Sequence, residues 1–300
     1  VTQTWRGEIA ALDFTRPWLS PFAERAAPVV EALARGATVA DALCAPAFAS
    51  TPATSHPVAV GMPLRFTAAQ ACPADEPYES HIRRTGTVPT RCNLHDLFNG
   101  LVWWQFPQAK RRLNALQAAE IARSGIGATR GALRDAITLF DENGAVLEAP
   151  PALWDALLAR DWHRLFVAER ALWQQARLHL FGHALLEKLV QPRKPATAHV
   201  LVVEMPVGAG TAAATATDAA LAAALDPDWL ATKPFVPLPV LGVPGWCNEN
   251  ENFSFYDDRQ VFRPPPRENK HNILPVWRRQ SLNRPLGPPT GPQFPHGEST

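Results

Sequence analysis

Thirty prolines, unevenly spread, decide where this chain can keep regular structure. Proline has no amide proton and clashes with the preceding turn, so helices and ladders belong where it is sparse. Ten fall in residues 1–90, seven in 91–233 and 13 in the last 67. The spread predicts a regular core in the middle of the chain. It also predicts an extended tail over 264–300, where 37 residues hold nine prolines.

Within the middle, Pro107 opens a run whose Ala109, Leu113, Leu116, Ala119 and Ile121 share one helical face, with Gly125 as a stop. Leu94, Leu97, Phe98, Leu101 and Val102 give a second helix just before it, so an αα-hairpin or a sharp bend follows at residues 105–106. Two short runs, 136–140 and 145–148, flank Asn143-Gly144, the pattern of an antiparallel β-hairpin. Residues 152–160 read as helix, 164–190 as one long helix closed by Pro192, and 199–203 as a buried strand. Residues 218–225 read as a short helix capped by Thr217. The expected fold class is α+β: one mainly helical domain over 1–263 with a small antiparallel hairpin, then the Pro-rich tail.

Charge narrows the partners. Twenty-nine basic against 28 acidic residues leave +1, which argues against nucleic acid and against an anionic membrane surface. The longest uncharged run, 42–64, is interrupted by four prolines and cannot be a membrane helix. Four dispersed cysteines without a C-x-x-C pair suggest a reducing compartment, and Arg6, Glu8 and Asp13 leave no apolar signal region, so the cytoplasm is expected. Neither a P-loop nor a G-x-S-x-G elbow occurs, and Gly208-Ala209-Gly210 lacks the context of a dinucleotide fingerprint.

Three polar sets carry whatever chemistry the chain has. His95 and Asn99, then Lys110 and Asn114, are each one helical turn apart and share faces. Arg134 and Asp135 start the expected hairpin, and alternation would set Asp135 beside Asp141 as paired carboxylates. His179, His183 and Glu187 follow at steps of four on the expected long helix, a spacing that lets neighbours chelate one divalent metal. Gly182 beside His183 implies close approach of another backbone. A basic cluster from Lys110 to Arg134, opposed by Glu120, allows a small anionic ligand. The same groups also fit a plain structural role, as buried hydrogen bonds, salt bridges and turn formers.

Five segments, HDLFNGLVWWQFPQAKRRLNAL, RDAITLFDENGAVL, FGHALLEKL, PLPVLGVPGW and FYDDRQVFRP, occur in this order. In them the chain resembles the bacterial family called domain of unknown function 3025, over roughly residues 15–265. The resemblance implies no established activity or cofactor. It ties Glu142 and all the candidate residues except His179 to the family pattern.

Two functions follow as expectations. One is a metal-assisted hydrolase with His95, Asn99, Lys110, Asn114, Arg134 and Asp135 as catalytic groups and His183, Glu187 and Asp141 at a divalent cation. The other is a non-catalytic binding or assembly protein, in which these groups lock helices and the Trp- and Pro-rich surface meets a partner. The first requires the polar groups to converge in one accessible concavity. It also requires His183 to reach the His95/Asn99 or Arg134/Asp135 set.

Overall fold

The computed structural model describes residues 4–44, 64–125, 131–203 and 211–265. The expected tail beyond Pro265 and the Gly208–Gly210 segment lie outside them. In chain order the elements are α1 (Thr4–Ala10), α2 (Ala23–Ala34), α3 (Val39–Leu43), β1 (Arg65–Ala68), α4 (Tyr78–Thr85), β2 (Thr87–Thr90), α5 (Leu94–Gln105) and α6 (Pro107–Ser124). Then come α7 (Ala132–Asn143), β3 (Gly144–Glu148), α8 (Pro151–Ala159), β4 (Arg177–Leu180), α9 (His183–Lys188), β5 (Thr197–Leu201), α10 (Thr211–Ala224), α11 (Pro227–Ala231) and β6 (Phe235–Pro239). The fold is α+β and mainly helical. Among the described residues no helix is long and apolar enough to cross a membrane.

One sheet runs β4-β3-β5-β6, with β3 antiparallel to β4 and parallel to β5, and β5 antiparallel to β6. A separate parallel pair joins β1 to β2. Every residue of β3 is buried, so its amides must be matched within the protein, and strands on both sides do this. Phe140 of α7 stacks on Phe181 at 4.7 Å and on Phe235 at 5.8 Å, fixing the helix on the sheet through its aromatic face.

The expected hairpin over 136–148 is instead a helix running straight into a strand. Ala136, Ile137 and Phe140 are all buried on α7, so the helical period outweighs the β-compatible composition of the run. Gly144 stops α7 in an extended conformation rather than turning a hairpin, and β3 finds its antiparallel partner beyond α8, in β4. The expected long helix over 164–190 is broken too. A π turn (Arg164–Ala168) and a 3-10 segment (Arg170–Gln175) precede β4, and only α9 remains helical at the histidine end. The demand of β3 for an edge partner takes residues 177–180 out of the helical pattern. Helix α10 starts at Thr211, so Thr217 lies inside it and does not cap it.

That inner Thr217 has another task. Its hydroxyl donates to Glu148 Oε1 at 2.9 Å, and the same oxygen meets His179 Nε2 at 2.9 Å. Burial raises the Glu148 carboxyl, but His179 and Thr217 outweigh it and leave the group below its ordinary value of 4.5. The next residue, Asp218, accepts from the backbone amides of Gln108 and Ala109, both at 2.9 Å. Helix α6 has no side-chain cap of its own, so a carboxylate from α10 matches its unpaired first-turn amides and its positive dipole end.

The turn from β4 into α9 is pinned to the turn from α7 into β3. Amides of Phe181 and Gly182 both donate to Gly144 O, at 3.0 and 2.8 Å. A Cβ on Gly182 would stand 2.5 Å from Asn143 Cα, so only glycine fits there. Gly182→Ala is expected to lower unfolding stability by about 2 kcal/mol or more, read from urea midpoints, because backbone has to move. A shift below a few tenths would contradict the pinning.

The Glu148 cluster gives a pH signature. A carboxyl held below its ordinary value adds stability above about pH 4.5, and that stability is lost as pH falls through the folded value. Denaturation midpoints should fall below pH 4.5 less steeply in Glu148→Gln than in the wild type.

Candidate active site

Four helices bring the polar sets together around one cavity of about 440 Å³. Helix α5 supplies His95 and Asn99, α6 supplies Lys110, Asn114 and Gln117, α7 ends in Asp141 and Glu142, and α9 begins with His183. Tyr78 and Glu79, from the first turn of α4, close the remaining side. The short link at Phe106 folds α6 back against α5, which is why Asn99 and Lys110 meet: Nζ donates to Asn99 Oδ1 at 2.8 Å.

His95 and His183 face each other through their Nε2 atoms at 3.0 Å, rings edge-on with centroids 4.5 Å apart. Behind His95, Nδ1 meets Glu187 Oε2 at 2.9 Å. Behind His183, Nδ1 lies 3.7 Å from Asp141 Oδ2 and has no hydrogen-bond partner, although the residue is 4% exposed. Glu142 Oε2 stands 3.7 Å from His183 Nε2. The donor atoms of His95, Glu142 and His183 all lie within 4.8 Å of one another. Two imidazole nitrogens and one carboxylate around a point, with Glu187 hydrogen-bonded behind His95 and Asp141 3.7 Å behind His183, resemble the way proteins hold a divalent cation.

Electrostatics sorts these groups. Burial, with the nearby Lys110 ammonium, pushes His183 down to about 4, so its ring is neutral near pH 7 and free to offer a lone pair. Burial also raises Glu142. Asp141 is raised by burial too, but Lys110, at 2.5 Å, and the histidines hold it below its ordinary range. The Lys110 ammonium sits 5.3 Å from the Trp103 ring centroid, with its charge matched by Asp141. Tyr78 Oη accepts from Asn99 Nδ2 at 3.3 Å; although its ring is partly exposed, the desolvated surroundings of the hydroxyl and the acids Glu79, Asp96 and Asp141 hold the phenol above its ordinary value.

The sequence-predicted residues divide. His95, Asn99, Lys110, Asn114, Asp141 and His183 line the cavity, and Glu187 acts on it through His95. As anticipated, His183 reaches the His95 set. Arg134 and Asp135 do not join them. Arg134 Nη1 donates to Gly125 O at 3.4 Å, beyond the far end of α6, and Asp135 lies 3.8 Å from Lys233. On a helix, residues six apart point in different directions, so Asp135 and Asp141 are not the paired carboxylates an extended strand would make. His179 lies on β4, bound to Glu148 and not one turn before His183 on a shared helix. The basic cluster also scatters: Arg112 donates to Leu225 O and Arg123 pairs with Glu120, leaving Lys110 as its member at the cavity among the described residues, while Arg130 lies outside them.

Sequence reasoning missed Glu142 as a ligand and missed Tyr78, Glu79 and Gln117 altogether. Glu142 was visible as an acid before Asn-Gly, but a turn reading sent it to solvent. The α4 residues carried no periodic signal.

A second grouping, Cys72, Glu76 and His81, also has donor atoms within 4.8 Å. Here Arg84 grips Glu76 through two nitrogens at 2.8 and 2.7 Å, and His81 bridges Glu76 and Thr87. Arg84 and then His81 hold the Glu76 carboxyl at about 2. The charge is already matched, and the cluster braces α4.

The family description "Protein of unknown function (DUF3025)" matches residues 64–266. The chain belongs to this family. The match covers every element that lines the cavity, from α4 to α9, while α1 to α3 precede it. Those N-terminal helices still support the DUF3025 region: a Cβ on Gly100 of α5 would strike the Leu43 side chain of α3 at 2.3 Å. Neither a curated protein nor a solved structure matches the chain.

Removing Lys110 should expose the cost of its pairing. Lys110→Met keeps the apolar stem and strands Asp141, for an expected loss of about 3 kcal/mol in urea unfolding. Adding Asp141→Leu should recover part of that loss; equal or greater destabilisation in the double variant would reject the pairing as the cause.

Proposed function

We propose that this protein is a metal-dependent hydrolase whose divalent cation sits among His95, His183 and Glu142. The observation that carries the reading is the pair of Nε2 atoms 3.0 Å apart, with Glu142 Oε2 3.7 Å from the His183 Nε2 and Glu187 hydrogen-bonded behind His95. A cation about 2.0–2.1 Å from two imidazole nitrogens at a tetrahedral angle needs them roughly 3.3 Å apart, close to the spacing present. Zinc is the metal this set suits best, and three protein ligands leave a coordination position open toward the cavity.

A cation there would polarise a substrate carbonyl or phosphoryl oxygen and lower the pKa of bound water. Glu187, at 2.9 Å from His95 Nδ1, orients the ring so that Nε2 faces the cation site. Tyr78, accepting from Asn99, keeps its own proton to donate to an oxygen that gains charge. Lys110 adds positive potential on the same side, tempered by Asp141. Convergence of these groups on one cavity favours this reading over a purely structural role.

Isothermal titration of the full chain with Zn²⁺ should give one site. His95→Ala and His183→Ala are each expected to weaken it about 100-fold or more, and Glu142→Gln about tenfold, magnitudes typical of ligand and near-ligand changes. No saturable zinc site in the wild type would overturn the metal centre. Zinc binding without turnover of any activated ester, anilide or phosphoester would leave the centre and reject hydrolysis.

A further inference from the structure

The cavity's charges do not balance, and the imbalance sits at one end. Four carboxylates line it: Glu79, Asp96, Asp141 and Glu142. Arg91 matches Asp96 at 2.8 Å and Lys110 matches Asp141 at 2.5 Å. Glu142 is taken up by the cation site proposed above. Glu79 is left, and among the described residues no cationic side chain lies within ion-pair distance of it. Its side chain receives one hydrogen bond, from Asn114 Nδ2 at 2.5 Å. Burial and the neighbouring Asp141 raise its carboxyl above the ordinary range, as expected of an acid short of a counter-charge.

Two more acceptors stand beside Glu79. Asn114 is 6% exposed, and with Nδ2 committed to Glu79 its Oδ1 is the acceptor it has left. Gln117 Oε1, one turn further along α6, is buried without a partner. Lys110, Asn114 and Gln117 lie at i, i+4 and i+7, one face of the helix. This end of the cavity therefore offers a carboxylate and two amide oxygens, and a primary ammonium carries three N–H donors and no acceptor. Ile82, Leu113 and Ile137 supply apolar wall, which suits a short aliphatic chain.

We propose that Glu79, Asn114 and Gln117 bind the primary ammonium group of a substrate whose carbonyl end reaches the histidine pair, making aminoalkyl esters or amides the substrate class. The ammonium site stands on the acceptors alone; the carbonyl end rests on the hydrolase reading. Lys110 and Asn114 are about 6 Å apart in helical rise. A spacer of four to six carbons bridges that distance from the Lys110–Asp141 level to Glu79.

Two hydroxamates of equal length test this on zinc-loaded full-length protein. 6-Aminohexanohydroxamate carries an ammonium where heptanohydroxamate carries a methyl group, and each grips zinc in the same way. The amino compound is expected to bind at least tenfold tighter. Glu79→Gln should bring the affinity ratio to about one, and Gln117→Leu should reduce it. Equal affinities in the wild type, or binding of neither compound, would overturn the ammonium site, and the zinc titration alone then judges the metal centre. If zinc fails to bind, n-pentylamine decides: titratable binding to the wild type that Glu79→Gln abolishes keeps the ammonium site and rejects the metal, while no binding rejects both.

Discussion

One carbonyl oxygen organises this molecule. Gly144 O accepts the amides of Phe181 and Gly182, and in doing so fixes two chain reversals against each other: α7 into β3, and β4 into α9. Asp141 and Glu142 occupy the last turn before the first, and His183 begins the helix after the second. Their separation is therefore set by backbone, not by flexible side chains, which is how a site keeps its geometry before a ligand arrives. The glycine at 182 admits the approach, and the stacked Phe140 and Phe181 rings beneath resist sliding.

Around that fixed edge, the other helices contribute by pairing charges across the cavity. Lys110 ties α6 to Asp141 of α7 and Asn99 of α5, and Asn114 ties α6 to Glu79 of α4. Each contact is expensive to bury alone and favourable only when completed, so the four helices settle in one relative arrangement. The arrangement leaves a floor of polar atoms along α6, of which some are committed to the protein and some face the cavity.

The helices at 94–105 and 107–124 were legible because their apolar periods are long and Pro107 and Gly125 mark clean ends. The four polar residues on them could be paired by spacing alone. The strand expected at 136–140 and the unbroken helix expected over 164–190 fail for a common reason: the state of each segment depends on the other. Once β3 is buried it requires an edge strand, and 177–180 is taken for that purpose despite its place in a helical pattern. Local sequence carries no record of such a debt. The error then moved Asp135 beside Asp141 and His179 in line with His183, and it hid Glu142 in a supposed turn. Glu79 and Gln117 were invisible for a different reason, since an acid in a first turn and a glutamine in mid-helix are ordinary surface residues until a neighbour covers them.

The cap on α6 has a consequence for the order in which this protein can be made. The amides of Gln108 and Ala109 find their acceptor in Asp218, 110 residues later in sequence. While the chain is being synthesised, α6 emerges with a frayed first turn, the turn that carries Lys110. It stays so through the appearance of α7, β3, β4, the histidine helix and β5. The first turn of α6 gains its cap only after α10 has left the ribosome and docked, so the helix supplying the cavity floor is completed by a segment that forms no part of the cavity wall.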